Sequence, residues 1–325
     1  MKIGIIGIGA IGGLVGGLIA NKDNHNLIFC TNTEIQKLEL IANGLTINLP
    51  QQNNNSNNDK LTIDSKKLTI VSNIKEINSP WKKSCDLILI CTKSFSTLDA
   101  TNMAEELISD TGYCISIQNG IGNENIISSV LGFESVLGGV ITHGANKINS
   151  TTINWAGVGE IIIGPMPLTK IKKETIEEIT KLLNDAGLNA SNVLDIRINL
   201  WSKLAINAAI NPLAAICGVN NGALLDQALF ECACSSMFEV LTIAREIGIN
   251  VPDNFEMVDL LNQILTATKE NRCSMLQDLM KGKKTEIDSI CGEVIKMAEP
   301  FGIQTPINST LLAIVMGISL SNSID

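Results

Sequence analysis

Two histidines in 325 residues are too few to build a familiar metal centre, and the nine cysteines include no C-x-x-C pair. Zinc is therefore not expected, and the scattered thiols read as reduced and intracellular rather than as a disulfide framework. Positive charge is also short, with 24 Lys and Arg against 33 Asp and Glu. A nucleic-acid binder needs a basic face, so that class is set aside; a small anion held by a few local cations is not. Beyond the first twenty residues no uncharged run reaches the roughly 18 strongly apolar residues of a membrane span. The apolar start "IGIIGIGAIGGLVGGLIA" has only Lys2 ahead of it, too little for the basic region of a signal peptide. A cytoplasmic protein is expected. What the chain does have is apolar residue, 45% of the total, and length enough for two domains.

Residues 2–7, "KIGIIG", read as a short buried strand, with a helix following to Ala20. "HNLIFCT" (25–31) is a second strand, and "TEIQKLELIANG" a helix from Glu34 closing on Gly44. "LTINLP" and "KLTIVSN" are expected strands about the polar tract "QQNNNSNND" (51–59), which is a loop by composition. "CDLILICTK" (85–93) and "GYCISIQNG" (112–120) are buried strands without alternation. "SVLGGVITHGA" and "GEIIIGP" add two more, and helical stretches such as "STLDATNMAEELIS" lie between. After Pro167 the texture changes to an amphipathic helix, "KKETIEEITKLLNDAG", then at most one strand in "NASNVLD". From Arg197 onward every patterned stretch is helical. The expected fold is α/β: an N-terminal Rossmann-type dinucleotide-binding domain over 1–167, then an all-helical C-terminal domain over 168–325. The boundary falls within 167–196.

Gly7, Gly9 and Gly12 form a G-x-G-x-x-G pattern between the first strand and the first helix, with Ala10 and Ile11 inside it. The first glycine permits the tight turn, the second lets a pyrophosphate approach the backbone, and the third lets the helix lie close to the sheet. The pyrophosphate then meets the free N–H groups of the helix N-terminus. NAD binders usually end the second strand on Asp or Glu. Here it ends "FCTNT", with no carboxylate before Glu34 and no arginine. An adenosine 2′-phosphate would meet no repulsion there, and Lys93, at the carboxyl end of a strand, can supply a cation. NADP is expected over NAD.

In "WSKLAINAAINPLAAI" (201–216), Lys203, Asn207 and Asn211 recur every four residues and so line one helix face. The rest of that helix is apolar. Surface stripes usually carry mixed charge, so this one reads as the wall of a cleft. Ser274 and Glu286 stand twelve residues apart, about 18 Å along an unbroken helix. One small substrate cannot touch both unless the chain bends. Gly282 is the expected break, and "TEID" reads as a capping box with Thr285 at the N-cap and Asp288 at N3.

Together "GIGAIG", "CTKS", "QNGIGNE", "WSKLAINAAINPLAAI" and "SMLQDLMKGKKTEID" resemble the ketopantoate reductases (2-dehydropantoate 2-reductases), from residue 2 to about residue 305. The resemblance implies Lys203 as catalytic lysine and Glu286 as catalytic glutamate. It places Asn119, Asn207, Asn211 and Ser274 against substrate or nicotinamide, and Lys93 near the cofactor phosphate. The cofactor set is then Gly7, Gly9, Ala10, Ile11, Gly12, Asn32 and Lys93, with Asn119 and Glu286 shared by the two sets. The family's arginine after the second strand is Asn32 here, which leaves NAD open beside NADP. The implied reaction is NADPH-dependent reduction of ketopantoate, a small anionic 2-oxo acid, with neither nucleic acid nor membrane as partner; a homodimer is compatible. The rival readings are another 2-oxo-acid or carbonyl reductase on the same scaffold, and a regulator that senses NADP(H) without turnover.

Overall fold

The computed structural model describes residues 1–22, 24–50 and 59–321; most of the polar 51–59 tract lies outside them. Contacts divide the chain into two compact units, Met1–Gln118 with Asn123–Ile196, and Asn119–Gly122 with Arg197–Asp325. The division at Ile196–Arg197 is the far end of the window set by composition.

The first unit runs β1 (Lys2–Ile6), α1 (Ala10–Ala20), β2 (Asn26–Cys30), α2 (Glu34–Asn43), β3 (Leu45–Asn48), β4 (Lys60–Ile63), β5 (Leu68–Val71) and β6 (Cys85–Ile90). It continues with α3 (Thr97–Leu107), β7 (Ile108–Ser116), α4 (Asn123–Leu131), β8 (Val136–Ile141), β9 (Gly144–Asn149), β10 (Thr152–Gly157), β11 (Ile161–Pro165), α5 (Lys173–Asp185) and β12 (Ala190–Asn192). Eight strands form one sheet in the order β12-β11-β8-β7-β6-β1-β2-β5. Only the β11–β8 pairing is antiparallel. Both faces of β1 and β6 are covered, as their unbroken apolar runs require.

A second sheet, β4-β3-β10-β9, was not expected from the sequence. It explains the glycines of α1. A Cβ on Gly16 would stand 2.9 Å from the Phe29 ring of the large sheet, and one on Gly13 or Gly17 2.8 or 2.7 Å from Ile153 or Ile47 of the small one. The helix lies between two sheets, at a separation that admits hydrogen atoms and no methyl groups.

The second unit holds α6 (Arg197–Cys217), α7 (Gln227–Glu246), α8 (Asn254–Ala267), α9 (Ser274–Met280), α10 (Glu293–Ala298) and α11 (Pro306–Ser321), with no strand among its described residues. By length and composition α6 could cross a bilayer, which the sequence reading did not foresee. It is instead mostly buried in the helical core, against α7 and α9. Pro212 sits inside it and has no N–H to give the Ala208 carbonyl one turn back. The Ser236 hydroxyl of α7 donates to that carbonyl at 3.0 Å, nearer than the alternative acceptor, Asn308 Oδ1 at 3.3 Å. Asn308, fully buried, donates in turn to the Ser236 carbonyl and to Glu239, whose carboxylate also accepts the first N–H groups of α11. An acceptor charge at a helix N-terminus is favourable.

Candidate active site

In the first unit, β1 pairs with both β2 and β6, so that Ile6, Cys30 and Ile90 end at one level. The strand order reverses at β1, and such reversals leave a crevice beyond the carboxyl ends. Gly7 closes β1 with φ +93, and its Cβ would strike Thr92 at 2.6 Å. Its N–H donates to the Cys30 carbonyl at 2.9 Å. A Cβ on Gly12 would lie 2.1 Å from the Gly7 carbonyl, so only glycine fits. Gly9 differs: a Cβ there meets nothing within 4 Å. Gly9 is also the N-cap of α1 and supplies no side-chain cap, and no acid stands in the first turn. The N–H groups of Ala10, Ile11 and Gly12 therefore head a helix N-terminus with open space in front of it. The residues present fit a dinucleotide pyrophosphate.

Beside this loop, Lys93 follows β6 and is half-buried. Asn32, just past β2, is exposed. Glu34, the first carboxylate beyond it, is held by Ser72 and Lys37, the latter ion-paired at 3.1 Å. Two residues missed by sequence reasoning reach the Ile8 carbonyl between Gly7 and Gly9. Gln36 Nε2 of α2 donates at 2.7 Å and Lys147 Nζ of β9 at 3.4 Å. Gln36 lies on the expected helix α2, whereas Lys147 lies on β9 of the second sheet, a strand the sequence did not announce.

In the second unit the structure brings Lys203, Glu286 and Asn119 together. Glu286 is 6% exposed, and Asn119 Nδ2 donates to its Oε2 at 3.2 Å. Burial pushes the Lys203 ammonium down to about 8, while the negative charge of Glu286 pulls it back up. The Asn119–Gly122 loop can lie this close because Gly120, at φ +82, has no Cβ to meet the Ser289 carbonyl at 2.4 Å. Ile121 N–H donates to that same carbonyl at 3.3 Å.

The chain does break between Ser274 and Glu286. α9 ends at Met280, and Gly282 turns it with φ +60. The expected capping box is absent. Thr285 is buried, and the following turn, Asp288–Gly292, is a wide π-type turn without a side-chain cap. The Glu286 carbonyl instead takes N–H groups from Ser289 and Ile290 and the Ser289 hydroxyl. Such turns recur at functional sites.

Along α6, Asn207 is half-buried and Asn211 only 8% exposed. Ser274, exposed, begins α9. The residue before it, Cys273, caps that helix: its Sγ accepts from Leu276 N at 3.4 Å and donates to the Asn211 carbonyl at 3.5 Å. The start of α9 is thereby fastened beside Asn211. Asn221 was not singled out from sequence. It is 8% exposed and donates to Thr268 Oγ1 at 3.0 Å, while its Oδ1 has no partner. A buried carbonyl oxygen left so is costly unless a ligand completes it.

Residues 3–167 match the family model described as ketopantoate reductase PanE/ApbA, and residues 195–319 the model of its C-terminal part. A 2-dehydropantoate 2-reductase of Pyrococcus horikoshii is 37% identical over 319 residues, 97% of this chain and 96% of that protein. A PanE/ApbA family ketopantoate reductase structure from Ralstonia eutropha JMP134 gives a TM-score of 0.85 at 25% identity, covering 99% of this chain and 100% of that one. D-mandelate dehydrogenase, solved with NADH and anilino(oxo)acetate, shares the fold at a TM-score of 0.87 and 23% identity, covering 99% and 100%.

Proposed function

We propose that this chain, which belongs to the ketopantoate reductase family, reduces 2-dehydropantoate to pantoate with NADPH, a step toward pantothenate and coenzyme A. The observation that carries the reading is the Lys203–Glu286–Asn119 cluster, a titratable ammonium beside a buried and oriented carboxylate. NADPH, when bound, supplies hydride to the C2 carbonyl; Gly7, Gly9, Ala10, Ile11 and Gly12 would hold its pyrophosphate, with Asn32 and Lys93 as further contacts in the first unit.

As charge builds on the carbonyl oxygen, Lys203 Nζ stabilises it and gives up a proton to make the alcohol. An acid serves best when its pKa lies near the working pH, and burial has brought Lys203 into that range. Glu286 keeps the ammonium charged and, held by Asn119, fixes its direction. Asn207, Asn211 and Ser274 bind carboxylate and hydroxyl groups without adding net charge. We place the enzyme in the cytoplasm, where its nine unpaired thiols stay reduced.

The deciding experiment follows NADPH and NADH oxidation with 2-dehydropantoate and a panel of other 2-oxo acids. Turnover fastest with 2-dehydropantoate is expected. Preference for another 2-oxo acid would move the chain to a sister activity, and cofactor binding without turnover of any keto acid would make it a sensor.

A further inference from the structure

In a dinucleotide-binding domain the adenosine ribose lies between the glycine loop and the end of the second strand, and a carboxylate or a cation there decides between a 2′-hydroxyl and a 2′-phosphate. In this chain the end of β2 offers no cation, since Cys30, Thr31, Asn32 and Thr33 are all neutral. Its first carboxylate, Glu34, is engaged with Ser72 and Lys37. A cation reaches the glycine loop from elsewhere in the first unit. Lys147 Nζ lies 3.4 Å from the Ile8 carbonyl, inside the Gly7–Gly9 turn. Gln36 Nε2, at the first turn of the helix that follows β2, donates to that carbonyl at 2.7 Å and to the Ser150 carbonyl at 3.2 Å. The glycine loop, the α2 start and β9 thus meet at the Ile8 carbonyl, and Gln36 ties in the β9–β10 turn through the Ser150 carbonyl. Lys147 Nζ stands beside Gln36 at the glycine loop, next to the start of the helix that follows β2.

We infer that Lys147 binds the adenosine 2′-phosphate and so sets the preference for NADPH over NADH. An ammonium carries three donors and a full charge, the chemistry a phosphate monoester recruits. This rests on reading the first unit as the NADPH-binding part, so the test uses ligands that need no keto acid and no turnover. Calorimetric titrations compare 2′,5′-ADP with 5′-AMP, which lacks only the 2′-phosphate, on the full chain and on Lys147→Gln and Lys147→Arg variants. The wild-type chain should bind 2′,5′-ADP at least about tenfold more tightly. Lys147→Gln should lose that margin by weakening 2′,5′-ADP alone, Lys147→Arg should keep most of it, and all three should melt at similar temperatures. Equal weakening of both ligands would assign Lys147 to the 5′-phosphate they share and overturn the proposal. So would a wild-type chain that binds both ligands alike, a result that leaves an NADH-dependent ketopantoate reductase standing.

Discussion

The proposed chemistry rests on one side chain, Lys203, and its pKa of about 8 makes the expectation specific. Lys203→Ala should leave dinucleotide affinity nearly intact and cut turnover by about 100- to 10,000-fold, the usual contribution of a general acid. Lys203→Arg should restore little, because a guanidinium keeps its proton. In the wild type, kcat for reduction should fall as pH rises through about 8. Glu286→Gln removes the charge that raises the lysine, so this limb should move to lower pH. An unmoved limb would show that another group is the acid. Gly9→Asp tests the other unit: a Cβ there has open space, so the chain should fold normally while NADPH binding is lost to a carboxylate in the pyrophosphate's place. Glu124 is a second residue with a legible titration. Burial raises its carboxyl to about 7, above its ordinary 4.5, against the pull of its own backbone N–H and the Ser116 hydroxyl. The folded chain therefore holds an extra proton between those values, and this group withdraws stability as pH rises through them. Glu124→Gln should raise the melting temperature at pH 8 relative to wild type and leave it little changed at pH 4.

Among the elements, α6 bears the greatest demands, since three candidate site residues share it with a helix-breaking proline. Ser236→Ala would strand the Ala208 carbonyl in the core, at a cost of about 1–3 kcal/mol. Pro212→Ala gives residue 212 an N–H for the same carbonyl, so in that background Ser236→Ala should cost markedly less. Denaturant titrations of the four chains read this coupling; additive losses would sever Ser236 from the proline. Neither link was visible in the sequence, because Ser236 and Pro212 meet only through the packing of α7 on α6. What was visible followed from local rules. β1, β6 and β8 announced themselves as apolar runs too short for helices, and the break at Gly282 followed from the separation of Ser274 and Glu286. β9 and β10, "GANKIN" and "TINWAG", are short and half polar, and they belong to a sheet whose partners β3 and β4 lie some ninety residues earlier in the chain. Lys147 was hidden for that reason. Asn221 was hidden because an orphaned oxygen is a property of surroundings, not of sequence.

At the scale of the whole molecule, four residues of the N-terminal half, Asn119–Gly122, belong by their contacts to the helical unit. The division at Ile196–Arg197 therefore separates the packing but not the machinery. A gene cut at that codon would yield a C-terminal polypeptide carrying Lys203 and Glu286 yet missing the amide that orients the glutamate and the backbone N–H that closes on Ser289. The N-terminal polypeptide would keep the loop with nothing to embrace. Split-protein fragments or domain swaps with other reductases made at that junction would inherit a carboxylate without its guide, whereas exchanges that carry 119–122 together with 197–321 would move the cluster intact.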